Sequence, residues 1–116
     1  MKRFAVVSIF LAASICCAQE RRTADLGYWL LQGAQAGAAV ADIEATQHCI
    51  HAGTCREGNP LMPRSRGGMY ALDMSIVAGE AYASWRLKRH GSRVWWIGPV
   101  IGISEHTFGV ALAVRR

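Results

Sequence analysis

Charge is scarce in this sequence. Only 18% of its 116 residues are charged, against about 25% in an average soluble domain. The eight acids are outnumbered by thirteen Lys and Arg, giving a formal net charge of +5. Those basic residues form no continuous stripe. They stand in short clusters between apolar runs: Arg21 and Arg22, then Arg64 and Arg66, then Arg86, Lys88, Arg89 and Arg93, then Arg115 and Arg116. A nucleic-acid partner needs a contiguous basic face, commonly with stacking aromatics, so that class is excluded. Catalytic signatures are missing too. Ser75, Ser84, Ser92, Ser104 and His106 share no local motif that joins a nucleophile to a base. Gly67-Gly68 lacks the Lys and Ser or Thr that complete a phosphate-binding loop. The Glu-x-x-His pair of a di-iron bundle does not occur. No cofactor is predicted, and the balance leans against an enzyme.

Apolar residues, by contrast, make up 52% of the chain. Mean hydropathy is only +0.15 because much of that share is Ala and Gly. The length allows one domain. At the N-terminus, Lys2 and Arg3 precede an apolar stretch over 4–15, then Cys16, Cys17 and Ala18. This charged, apolar, small-residue order predicts a signal peptide over 1–18, cleaved after Ala18, with an uncleaved anchor helix as the alternative. Ile15 and Cys16 stand where a lipoprotein signal needs small residues. The remaining 19–116 is expected to be all-α: an antiparallel bundle of three long hydrophobic helices over about 26–46, 68–88 and 94–114. Each apolar run has roughly 18 to 21 residues, near the ~20 that cross a bilayer core.

Three features support lipid as the surroundings. Small residues four apart recur in every run, as Gly33 and Gly37, Gly79 and Ala83, Gly98 and Gly102, a spacing that lets membrane helices approach closely. The same faces can bind a second copy or another membrane protein. Tyr28, Trp29, Trp85, Trp95 and Trp96 all fall at one end of an antiparallel bundle, with Arg86, Lys88, Arg89 and Arg93 beside them, as at a headgroup layer. Turn chemistry closes the units: Asn59 as an N-cap with Pro60 opening a short helix, Ser65 capping the second long helix, Gly91-Ser92 joining the second to the third, and Pro99 in the third's first turn.

Five acids nevertheless interrupt the apolar runs: Asp42, Glu44, Asp73, Glu80 and Glu105. A charge at mid-bilayer costs about 2.5 to 3.5 kcal/mol, so such residues face a bundle interior or sit near a helix end. Gln35, Asp42 and Thr46 share one helical face, and Asp73, Glu80 and Ser84 repeat the same spacing on the second helix. Glu105 and His106 lie on the third. The predicted polar interior stripe is therefore Asp42, Thr46, Asp73, Glu80, Glu105 and His106. Three readings stand: a shared site for a metal or proton, interhelical hydrogen bonding, or stripes that face water in a soluble bundle.

His48, Cys49, His51 and Cys55 crowd the next segment. Their spacing matches no usual zinc site. A Cys49–Cys55 disulfide, a metal or redox role, and two free thiols are the alternatives, and the weak metal candidates are His48, His51, Glu80 and His106. A cleaved signal followed by one span would carry this loop to the cytoplasm, where a disulfide is not expected. Six basic residues at the Trp end against five at the other leave orientation unset.

The segment from Asp42 onward also carries a resemblance. Asp42-x-x-x-Thr46 followed by Glu57-Gly58-Asn59-Pro60-Leu61-Met62 resembles small uncharacterised bacterial membrane proteins with a D-x-x-T … E-x-N-P-L pattern, the first spacing being one residue longer here. It covers about a fifth of the chain. The resemblance implies a multi-pass helical protein, with Glu57, Asn59 and Pro60 forming the motif turn, and it transfers no catalytic role. The expectation is a non-enzymatic protein of the bacterial inner membrane with the lipid bilayer as its partner. The alternatives are a membrane transporter or metal-dependent enzyme using the acid and His stripe, and a periplasmic or secreted soluble domain closed by Cys49–Cys55.

Overall fold

A computed structural model describes residues 23–56 and 58–115. The expected signal at 1–18, with Cys16 and Cys17, lies outside the described residues, as do Arg21, Arg22, Glu57 and Arg116. Three helices follow one another: α1 Leu26–His51, α2 Arg66–Arg89 and α3 Ile97–Val114, with no strand among the described residues. Chain direction makes α2 antiparallel to the other two, and α3 packs mainly along α1.

The helix ends follow from local chemistry. Asp25 caps α1, its carboxylate accepting from the Tyr28 N–H at 2.9 Å, and Ser65 caps α2 by accepting from Gly68 N–H at 3.1 Å. Both helices stop at a glycine in the left-handed region, Gly53 at φ +71° and Gly91 at φ +77°. Around each, the N–H groups of the glycine and of the next residue bond back three and five positions, to Ile50 and Cys49 in α1 and to Lys88 and Leu87 in α2. This is the Schellman pattern, which satisfies carbonyls the helix itself leaves open.

Three boundaries differ from expectation. α1 runs five residues past 46, because nothing before Gly53 breaks it, so Cys49 and His51 are helical. Asn59-Pro60 opens a turn and no helix: Asn59 Oδ1 accepts from Leu61 N–H at 3.0 Å, the short-range bond with which Asn competes against helix. α3 begins at Ile97, three residues later than expected, after a turn over 93–96.

Packing turns hydropathy inside out. The buried side chains of α1 include Gln32, Gln35 and Gln47, and those of α2 include Asp73 and Ser84. Among the described residues, apolar burial is limited to Tyr28, Ala39, Ile43, Cys49, Met69, Val77, Pro99 and Gly102. Large apolar side chains face outward instead, among them Leu30 at 64%, Ile101 at 52% and Phe108 at 65% exposure.

The expected small-residue contacts need correction. A Cβ placed at Gly33, Gly37, Gly79 or Gly98 would meet nothing within 4 Å. The seam along α1 is occupied by Gln32, Gln35, Ala39 and Ile43, so residues 33 and 37 are rotated away from it. Close approach occurs at Gly102 and Gly109, seven apart and two turns along one face of α3. A Cβ at Gly102 would lie 2.5 Å from Gln35 Nε2, and one at Gly109 would collide with the Asp42 carboxylate. Gln35 and Asp42 are themselves seven apart, so two pairs lock the helices together. The expectation of three spanning helices is met only in part: among the described residues one helix, Ile97–Val114, is by itself long and apolar enough to cross a membrane. The interior Gln, Asp and Glu side chains lower the average of the other two.

Candidate functional site: a polar column ending in a pocket

Polar contacts run along the bundle from the Trp end. Tyr28 donates its hydroxyl to the Ala81 carbonyl at 2.9 Å. One turn further, Gln32 Nε2 reaches Ser84 Oγ at 3.4 Å, and Ser84 donates onward to the Trp95 carbonyl at 2.8 Å. The Trp95 carbonyl lies in the turn before α3, outside the helix's own hydrogen-bond ladder, and Ser84 supplies its donor. Next along the column, Gln35 Nε2 donates to Glu80 Oε2 against Gly102. The Oε1 atoms of Gln32 and Gln35 are buried with no partner.

Toward the other end of the bundle lies a pocket of about 420 Å³, walled by Asp42, Thr46, Asp73, Glu105, His106 and Arg56 among others. Asp42 Oδ2 and His106 Nδ1 are 2.9 Å apart, with side chains 22% and 17% exposed. The contact is an ion pair when the imidazole holds its second proton. Asn59 and Cys55 also border the pocket. Cys55 is joined to Cys49, the Cα atoms lying 5.5 Å apart.

The single predicted stripe is thus two groups. Asp42, Thr46, Asp73 and His106 meet at the pocket, whereas Glu80 sits deeper with Gln35, and Glu105, expected in the interior, borders the pocket but is exposed. His106 is one turn past Gly102, about 6 Å nearer the pocket end, which is why it meets Asp42 and not Glu80. Glu44 belongs to neither, since it pairs with Arg66 at 2.9 Å and accepts from Tyr70 at 2.8 Å. His48 and His51 are set apart from the pocket wall, and Pro60 does not line it. Among the described residues no three His, Cys, Asp or Glu side chains converge as a metal-holding group.

No family model, curated protein or solved structure matches this chain. The geometry therefore stands alone.

Sequence spacing missed Gln32, Gln47 and Tyr28 as interior residues. The signal was present: 28, 32, 35, 39, 43 and 47 advance by threes and fours, the step of one helical face. Gln47 ties the two helices below the pocket, donating to the Arg64 carbonyl at 3.2 Å and lying 3.0 Å from Met69 Sδ. At the opposite end Lys88 bonds Asp25 and stands 4.2 Å over the Trp95 ring, while Arg89 lies over Trp85. The Lys88 hydrogen bond, helped by the Tyr28 N–H, holds the Asp25 carboxyl below its ordinary value.

Proposed function

We propose that this chain is a small, non-enzymatic integral membrane protein of the bacterial inner membrane, its three helices spanning the bilayer with their polar side chains turned toward one another. The observation that carries the proposal is what faces outward. From Leu26 to Ala41 the exposed positions of α1 are Leu26, Gly27, Trp29, Leu30, Gly33, Ala34, Gly37, Val40 and Ala41, with no polar side chain. Three outward hydroxyls elsewhere are tied to their own helix, Ser75 to Ala71 O at 2.6 Å, Ser104 to Val100 O at 2.8 Å and Thr107 to Ile103 O at 2.7 Å. Such bonds satisfy a hydroxyl where no water is present. In water, an apolar surface of this extent would drive association.

Length agrees. The helices have 26, 24 and 18 residues, or roughly 39, 36 and 27 Å at 1.5 Å per residue, against a hydrocarbon core of about 30 Å. The Trp and basic cluster at one end supports a headgroup layer there. Alkaline carbonate extraction of membranes from cells expressing the full chain is the test. Retention in the pellet until detergent is added is expected. Release into the supernatant as a monodisperse species in plain buffer would replace this proposal with a soluble helical domain.

One observation favours a second reading, that of a transporter. The Asp42–His106 pair at the pocket lies two turns along α1 from the Gln35–Glu80 pair, so polar groups recur from an open end toward mid-bundle. Loss of flux in both His106→Ala and Glu80→Ala, with membrane insertion intact, would favour it.

A further inference from the structure

We propose that Gln32, Gln35 and Glu80 form a binding site for an alkali-metal cation where the three helices meet, with both amide carbonyl oxygens and the Glu80 carboxylate as ligands. Gln35 is fully buried and Gln32 is 7% exposed, yet Oε1 of each has no hydrogen-bond partner. Buried amide oxygens are almost always satisfied, so two on one face one turn apart require an explanation. Exchanging the amide oxygen and nitrogen offers none. Each Nε2 already donates, to Ser84 and to Glu80, and a flip would set oxygen against oxygen. Ser84 cannot donate to either amide because its proton goes to the Trp95 carbonyl.

What remains is two buried amide oxygens, beside a carboxylate, that no donor reaches. No Lys, Arg or His joins it among the described residues, and Glu80 has no ion-pair partner there. The complement of two carbonyl oxygens and one carboxylate is a hard cation. The charge count selects a single positive charge, since sites for calcium use several carboxylates and this one has one. Zinc is disfavoured by the absence of Cys and His ligands. Gly102 contributes the third wall without filling it: a Cβ there would come 2.5 Å from Gln35 Nε2 and 3.1 Å from Glu80 Oε2. Toward the pocket, Asp42 lies seven residues from Gln35 on the same face of α1, about 10 Å along the helix.

The inference rests on the polar interior described above, and it holds whether lipid or water surrounds the bundle. The full chain is purified in detergent, or in plain buffer if carbonate releases it. Thermal unfolding is followed by tryptophan fluorescence in NaCl, KCl and choline chloride at equal ionic strength and fixed pH. A saturable rise in Tm with one alkali salt over choline is expected, on the order of 5–10 °C at tenfold excess over Kd. Glu80→Gln should abolish the difference. Equilibrium dialysis of the wild-type chain with the radioactive form of that same cation, about one ion bound per chain, covers the case in which the variant fails to fold. Identical melting in all three salts, or an alkali shift retained in Glu80→Gln, overturns the site. So does melting that depends on pH but not on the salt cation, because a proton would then be the occupant. Membrane retention without a cation effect sinks this inference alone, and carbonate release with a cation effect sinks the membrane proposal alone.

Discussion

Replacing Gly109 by alanine puts a methyl group where the Asp42 carboxylate lies, since all three carboxylate atoms fall within 3 Å of the position it would take. Asp42 has only two side-chain torsions, so it must swing away from α3 and give up its 2.9 Å contact with His106. A hydrogen bond to a charged group contributes about 1.5 to 3 kcal/mol. Alanine returns about 1 kcal/mol through its higher helix propensity. The net expectation is a loss of about 0.5 to 2 kcal/mol. Gly33→Ala and Gly37→Ala are the internal comparison, because a methyl there meets nothing within 4 Å. Those two should gain up to about 1 kcal/mol from propensity alone. One chemical change therefore has opposite signs on two helices of the same molecule. Equilibrium unfolding in mixed micelles, followed by far-UV circular dichroism, measures both. If Gly109→Ala proves as stable as Gly33→Ala, Asp42 does not pack against α3 and the seam assigned here is wrong.

Two further outcomes follow from the Trp end. Ser84→Ala leaves the part-buried Trp95 carbonyl without this donor and should cost about 1 to 3 kcal/mol; a variant that unfolds at the wild-type denaturant concentration in the same assay would refute the role of this bond. Asp25 has a lowered carboxyl pKa in the folded chain, from Lys88 first and the Tyr28 N–H second, so folding favours its ionised form. Its contribution is full above 3.8, the ordinary value, and is lost as pH falls through the lower folded value; Asp25→Asn, which keeps a capping oxygen, should show a shallower acid limb than wild type, and superimposable limbs would refute this role.

Much of the interior was legible because helical spacing is a rigid rule. Asp42 and Thr46 share a face, as do Asp73, Glu80 and Ser84, and these residues do turn toward the neighbouring helices. What spacing does not carry is axial offset between helices. His106 pairs with Asp42 and leaves Glu80 to Gln35 because α3 starts late and lies along α1, and neither fact is written in the local pattern of α3. The glycine pairs misled for a related reason. Gly33 and Gly37 have the right interval, but the interval is the same on every face, and only the position of Gln32, Gln35 and Ala39 decides which face is inward. Loop chemistry was readable as turns but not as lengths: Asn59-Pro60 reverses the chain without starting a helix.

The low average hydropathy of α1 and α2 is a consequence of their polar interior, and averaging along the chain conceals it. A helix that pairs with two others presents only part of its circumference to the surroundings. On α1 that part is apolar from Leu26 to Ala41, and on α2 the exposed positions between Ala71 and Ala83 are Ala71, Ser75, Ile76, Ala78, Gly79, Tyr82 and Ala83. Gln32, Gln35 and Ser84 count against both helices in a window average, yet none of them meets the solvent. The relevant quantity for a bundle is the composition of its outer faces. By that measure the outer faces of α1 and α2 over these residues are apolar apart from Ser75 and the Tyr82 hydroxyl. The same separation explains why polar groups are tolerated inside. A Gln–Ser or Gln–Glu pair costs little when formed between helices and a great deal when one partner is left facing lipid. Polar pairing and an apolar exterior thus reinforce each other, and removing a single partner should unsettle the bundle more than any substitution on its outer face.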